Sequence, residues 1–79
     1  MIINIYTTPN CAYCVKAKNF FRKHNLNFLE IDVTTDVKSR DAMVKKTGQY
    51  GVPVIIVDDR MVIGFNEAKL RELCQITTN

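Results

Sequence analysis

The run IINIYT, residues 2–7, is almost unbroken in apolar and β-branched character, halts at Pro9, and gives way at once to the apolar spacing of a helix. A continuous run of this kind suits a central strand covered on both faces. Asn10 is placed to cap the helix. Cys14, Ala17, Phe20 and Phe21 then recur at helical spacing, while Lys16, Lys18, Asn19, Arg22 and Lys23 take the other side. FLEIDV, residues 28–33, alternates Leu29, Ile31 and Val33 against Glu30 and Asp32, as a half-buried strand near an edge would. TTD offers caps for a second helix over residues 37–47, with only Val37, Met43 and Val44 facing inward and Gly48 as its stop. VPVIIV (residues 52–57) and MVI (residues 61–63) flank the polar turn DDR and read as a β-hairpin. In the last helix Asn66 is the cap, Phe65 and Leu70 form a hydrophobic staple, and Leu70, Leu73 and Cys74 supply the buried stripe. The order βαβαββα predicts an α/β fold: a four-stranded mixed sheet with helices on both faces.

A chain of 79 residues with 47% hydrophobic content has room for one small domain and one core, so a single site carries most of its chemistry. Many proteins of this size borrow stability from disulfides or metals, and three cysteines are a poor supply for that. The odd count, with no secretory h-region at the N-terminus, points to a reducing, cytoplasmic setting. No stretch approaches a membrane span. The net charge of +3 comes from 11 basic and 8 acidic residues that are interleaved, which describes a solvated surface better than a nucleic-acid footprint. The expectation is a monomer that binds neither nucleic acid nor membrane.

The motif PNCAYCVKAK sets Cys11 and Cys14 two residues apart where the first helix begins. Helix rise and radius place such Cα atoms ~5 Å apart, inside the disulfide window. Closing so small a ring removes little chain entropy, which weakens the reading of a structural staple. With Asn10 as the cap, Cys11 falls in the first turn, where unpaired N–H groups and the helix dipole favour a thiolate and bring a thiol below its usual ~8.5. Lys16 and Lys18 add a small, solvent-screened contribution. Cys14, a turn deeper, suits a resolving thiol. A structural zinc site needs about four ligands, and only Cys74 and His24 remain. His24 closes the same helix ~20 Å away and cannot share a metal with Cys11 in a monomer. A metal or iron–sulfur cluster bridged by thiolates of two chains stays open as an alternative, and Cys74 reads as a core residue. In YGVPV, a proline after β-branched Val52 at a strand entry is a candidate cis peptide. Beside a dithiol it would leave the Val52 backbone free to pair with an extended substrate.

Taken together, IYTTPNCAYC followed by a helix, then GVPVIIVDD and IGFNEAKL, resembles the glutaredoxins of the thioredoxin superfamily nearly end to end. The resemblance implies a thioredoxin-like fold and a thiol–disulfide oxidoreductase. In that reading Cys11 is the nucleophile, Cys14 resolves the mixed disulfide, Tyr13 shapes the rim and Pro53 is cis. It also implies that Val52, Gly64 and the start of the last helix, Phe65 and Asn66, line a groove for glutathione or a protein substrate. No bound organic cofactor is expected, since no phosphate-binding glycine loop is present. The electrons would come from outside, from glutathione or from thioredoxin reductase with NADPH.

Some positions differ from the glutathione-using pattern: Ala12 stands where Pro is usual, Thr8 where a Lys is, Gly51 where a Thr is, and Gly64, Phe65 and Asn66 where a Gly-Gly and an acidic residue are. Glutathione carries two carboxylates and an amine, so each charge-assisted hydrogen bond lost is worth about 1.5–3 kcal/mol. The Gly64-Phe65 pair is similar to the redoxins that serve ribonucleotide reductase and are recharged by thioredoxin reductase. The expected partners are therefore disulfide-bearing proteins, ribonucleotide reductase among them, and one of the two reductants.

Overall fold

The computed structural model describes residues 1–76. The elements are β1 (Ile3–Thr7), α1 (Ala12–Lys23), β2 (Leu29–Asp32), α2 (Val37–Thr47), β3 (Val54–Val57), β4 (Arg60–Ile63) and α3 (Glu67–Leu73). They form one sheet in the order β2-β1-β3-β4. β1 pairs parallel with β2 and antiparallel with β3, which pairs antiparallel with β4. The mixed sheet of the sequence reading is therefore present, with β1 and β3 at its centre.

Strand side chains alternate between faces, and the core divides accordingly. Ile3, Ile5, Ile55, Val57 and Val62 pack with Ala17, Phe20 and Phe21 of α1 and with Leu70 and Cys74 at α3. On the opposite face Tyr6, Val33 and Val54 meet Met43 of α2. The buried residues of α1 are Cys14, Ala17, Phe20 and Phe21, the same stripe that its spacing predicts. Phe21, Ile5, Ile55 and Leu70 are fully buried, and each contributes about 1.5–3 kcal/mol by leaving water.

Local devices set the element ends. Asp36 caps α2 by accepting the Ser39 N–H at 3.0 Å, and Gly48 ends that helix in the left-handed region at φ 73°. Asn66 caps α3 through the Lys69 N–H at 3.1 Å, and Phe65 packs against the cluster that holds Leu70, as the staple requires. The tip of the hairpin also ties down the N-terminus: the Asp58 N–H donates to the Ile2 carbonyl at 2.7 Å, and the Ile2 N–H donates to Asp58 Oδ1 at 2.8 Å.

Several sequence expectations change. Cys11, not Asn10, is the N-cap of α1. Leu29 is 61% exposed, because β2 is an edge strand; Val33, just past its other end, is the buried residue. Val37 is exposed as well, and the inward stripe of α2 narrows to Met43 with partly buried Val44. β3 begins at Val54 rather than Val52, since Pro53 has no N–H for the ladder. The turn is Asp58-Asp59 alone, because Arg60 already pairs with Val57.

Ile55 is 0% exposed and sits in the central strand of the core. Ile55→Val should lower unfolding free energy by about 0.5–1.5 kcal/mol in urea titration, with the m-value unchanged.

Candidate functional site

The site is built where β1 ends and α1 begins. Because α1 is held down by its stripe from Cys14 to Phe21, its first turn sits over the end of the sheet and Cys11 stands at the rim. As the N-cap, Cys11 has an extended backbone (φ −105°, ψ 108°), and its Sγ accepts the Cys14 N–H at 3.1 Å. A sulfur thus does what a Ser or Asp oxygen does at other helix starts: it satisfies an orphan N–H at the positive end of the dipole. The expectation that Cys11 lies at the helix N-terminus holds, but one position earlier and through a direct bond.

The two thiols differ in access. Cys11 is half-buried, whereas Cys14 is 1% exposed, and neither is in a disulfide. Burial, followed by the Cys11 sulfur beside it, pushes the Cys14 thiol up from 9.0 to about 12; a Thr8 backbone hydrogen bond and the Lys18 charge pull the other way. Burial, with some help from Asp58, also raises Cys74, which lies in the core at 4% exposure.

The Val52–Pro53 peptide is cis. Beside it, the Val52 carbonyl accepts from the Cys11 Sγ at 3.7 Å, which brings together two segments 41 residues apart in sequence. Pro53 is buried, and its carbonyl accepts the Gly64 N–H at 2.7 Å. Gly64 has φ 83°, a conformation that side chains rarely adopt, and a Cβ there would meet nothing within 4 Å. Cys11, Val52, Pro53 and Gly64 are therefore linked in one chain of contacts.

The remaining predicted residues lie around this centre with different roles. Tyr13 is 59% exposed, with the Lys16 ammonium 5.1 Å from its ring centroid. Thr8 is half-buried at the turn into α1. The Phe65 ring turns toward α1, meeting Phe20 edge-on at 6.1 Å, so much of it serves the core. Asn66 uses its side-chain oxygen to cap α3. A groove of about 410 Å³ between α1 and α3 is lined by Lys16, Asn19, Phe20, Lys23, Phe65 and Glu67; Cys11 is not among its walls. The Cys11 sulfur is thus presented on a rim. Among the described residues no three His, Cys, Asp or Glu side chains cluster to hold a metal ion, and no helix is long and apolar enough to cross a membrane.

Sequence reasoning treated Lys18 as a solvated charge. Its side chain is only 20% exposed, and Nζ lies 2.9 Å from Glu30 Oε2. The Thr7 hydroxyl donates to the same oxygen at 2.9 Å. The available signal was a carboxylate amid an apolar edge strand and a lysine one turn after Cys14.

With both pKa shifts upward, the sign of the pH dependence follows. The buried thiols stay neutral in the folded state to higher pH than in the unfolded chain, so their contribution is intact below about pH 9 and falls as pH rises above it, for Cys14 toward about 12. Urea titrations under reducing conditions should show stability falling over that window, and falling less in Cys14→Ala.

The glutaredoxin family profile matches residues 3–62. An uncharacterized glutaredoxin-like 8.6 kDa protein of the rubredoxin operon of Clostridium pasteurianum is 38% identical over 74 residues, covering 94% of this chain and 99% of its own. Among solved structures, a mutant of the thioredoxin-like protein BC3987 superposes with a TM-score of 0.88 at 32% identity, covering 95% of this chain and 96% of that one. The glutaredoxin-like NrdH-redoxin of Escherichia coli shares the fold, with a TM-score of 0.80 at 24% identity over 100% of this chain and 99% of its own. The Cys-x-x-Cys at a helix start, the Val-Pro beside it and the profile match agree: the chain belongs to the glutaredoxin family of thiol oxidoreductases, with a thioredoxin-like fold.

Proposed function

We propose that the protein reduces disulfides by a dithiol mechanism in which Cys11 attacks and Cys14 resolves. The observation that carries this is the pairing of a rim-exposed N-cap sulfur, bonded to the Cys14 N–H at 3.1 Å, with a second free thiol buried directly behind it.

The Cys11 thiolate attacks one sulfur of a substrate disulfide; a Cys11–substrate S–S bond forms, and the other substrate sulfur leaves as a thiolate. Cys14 then loses its proton to a solvent base and attacks Cys11 Sγ. The substrate's second sulfur departs and takes up a proton, leaving a Cys11–Cys14 disulfide. Two electrons from an external dithiol or reductase restore the starting state. In the resting protein, the Cys11 sulfur is among the causes that keep Cys14 protonated. Once Cys11 is tied up in the mixed disulfide as a neutral sulfur, that cause disappears, and Cys14 becomes easier to ionise when its attack is required.

The substrates fitting a rim-presented sulfur are disulfides carried on polypeptide chains. The Val52 N–H has no hydrogen-bond partner among the described residues and is available to an extended segment. For the electron source we favour a protein reductase of the thioredoxin reductase type over glutathione. Thr8 and Gly51 offer no charge to glutathione carboxylates, and Asn66 is occupied in capping α3. A reducing cytoplasmic compartment and disulfide-bearing partners such as ribonucleotide reductase belong to this same reading.

Cys11→Ser should lose more than about a hundredfold in reduction of insulin or a small disulfide, since its hydroxyl is a far weaker nucleophile. A mutant as fast as the parent would refute the mechanism. Cys14→Ser should accumulate the mixed disulfide, visible by mass spectrometry of the intact protein. In coupled assays, turnover is expected with thioredoxin reductase and NADPH; equal turnover with glutathione and glutathione reductase would reverse the assignment of the reductant.

A further inference from the structure

Glu30 pairs in parallel register with Ile5, so both side chains stand on the α1 face of the sheet. Thr7, two residues beyond Ile5 on the same face, is 1% exposed and directs its hydroxyl to Glu30 Oε2. Lys18 crosses from α1 to that same oxygen at 2.9 Å. One carboxylate oxygen thus receives a buried hydroxyl and an ammonium, and the long lysine side chain is tied to β2. Lys18 is four residues after Cys14, on the same face of α1. It is the sole cation among the groups acting on Cys14, whereas Glu30 is absent from them. The charged and titratable groups around this unit are Cys11 at the helix cap, Lys18 and Arg22 on α1, and Glu30 on β2.

We propose that Lys18, held by a Glu30 carboxylate that Thr7 in turn fixes, is a positioning residue for the resolving step, its ammonium stabilising the thiolate that forms at buried Cys14 as it attacks the mixed disulfide. This rests on the dithiol reading above. The balance of the step is unchanged: Cys14 gives its proton to a solvent base, a Cys11–Cys14 bond forms, the Cys11–substrate bond breaks, and the departing thiolate is protonated. Lys18 supplies field and takes no proton. A half-buried cation held by a fixed partner acts more strongly than the mobile surface lysines of the same helix. Glu30 sets where that cation sits, a task a solvated lysine could not perform for itself.

The test is a stopped-flow reaction of the reduced protein with 5,5′-dithiobis(2-nitrobenzoate). The first release of the yellow thiolate reports attack by Cys11 and scales with reagent; the second, independent of reagent, reports attack by Cys14. Lys18→Met should slow the second phase by about three- to tenfold and move its pH profile upward, since rate follows the thiolate fraction with partial compensation from nucleophilicity. The first phase should stay within about twofold. Lys18→Arg should restore the second phase, and Glu30→Gln, which frees the lysine, should slow it to an intermediate degree. A Lys18→Met protein with parental circular dichroism and an unchanged second phase would overturn the proposal. So would a slowing that is equal at every pH and not rescued by arginine, the mark of a packing effect. A reagent-independent second phase that persists in Cys14→Ser would instead remove the dithiol reading, and the role of Lys18 with it.

Discussion

Helix α1 is fixed to the sheet by one stripe, Cys14, Ala17, Phe20 and Phe21, and the positions of the Cys11 and Cys14 sulfurs follow from that contact. Phe21 and Ala17 are fully buried against the face that carries Ile5 and Ile55, so the helix can neither roll nor slide without opening the core. Cys14 is the first member of the stripe and is drawn under by the same packing. Cys11 is one helical turn earlier, where the stripe has run out. Exposure of one thiol and burial of the other are thus a consequence of where the apolar face of a single helix begins.

That asymmetry divides the chemistry. A sulfur at an N-cap is held by a backbone N–H and lies at the positive end of the helix dipole while remaining within reach of a partner. A sulfur one turn in pays for its burial with a thiol pushed up to about 12. In the proposed mechanism the first attacks a disulfide brought from outside, and the second waits until a disulfide is formed beside it. The two residues are joined by the bond from the Cys14 N–H to Cys11 Sγ, and the Cys11 sulfur is among the causes that raise the Cys14 thiol.

The other half of the site comes from the far end of the chain. The loop at Val52 and Pro53 reaches Cys11 through a carbonyl, and Gly64 fastens that loop from β4 through its N–H. Both depend on β3 running antiparallel beside β1, with Tyr6 opposite Val54. The register of the central pair therefore decides which backbone groups face Cys11.

Much of this was legible in the order of residues. The stripe of α1, the caps at Asp36 and Asn66, the stop at Gly48 and the hairpin after Val54 are local patterns, and local chemistry fixes them: periodicity of apolar groups, side chains that bond nearby N–H groups, and a residue that accepts positive φ. The Cys-x-x-Cys spacing and its place at a helix start are of the same kind. Tertiary structure alone decided the rest. Leu29 and Val37 look inward in a periodic pattern, yet they are exposed because β2 is an edge and α2 meets the sheet along a narrow line. Cys11 rather than Asn10 became the cap because a cap is chosen by the angle at which the chain enters the helix, and packing of the helix sets that angle. Lys18 reads as a surface charge until folding brings Glu30 to it across 12 residues of sequence, and Thr7 to that same Glu30 across 23. Spacing along the chain can specify a motif, but the field around it belongs to groups that only the closed sheet brings into range, because electrostatic influence depends on distance through space and on the water excluded between charges.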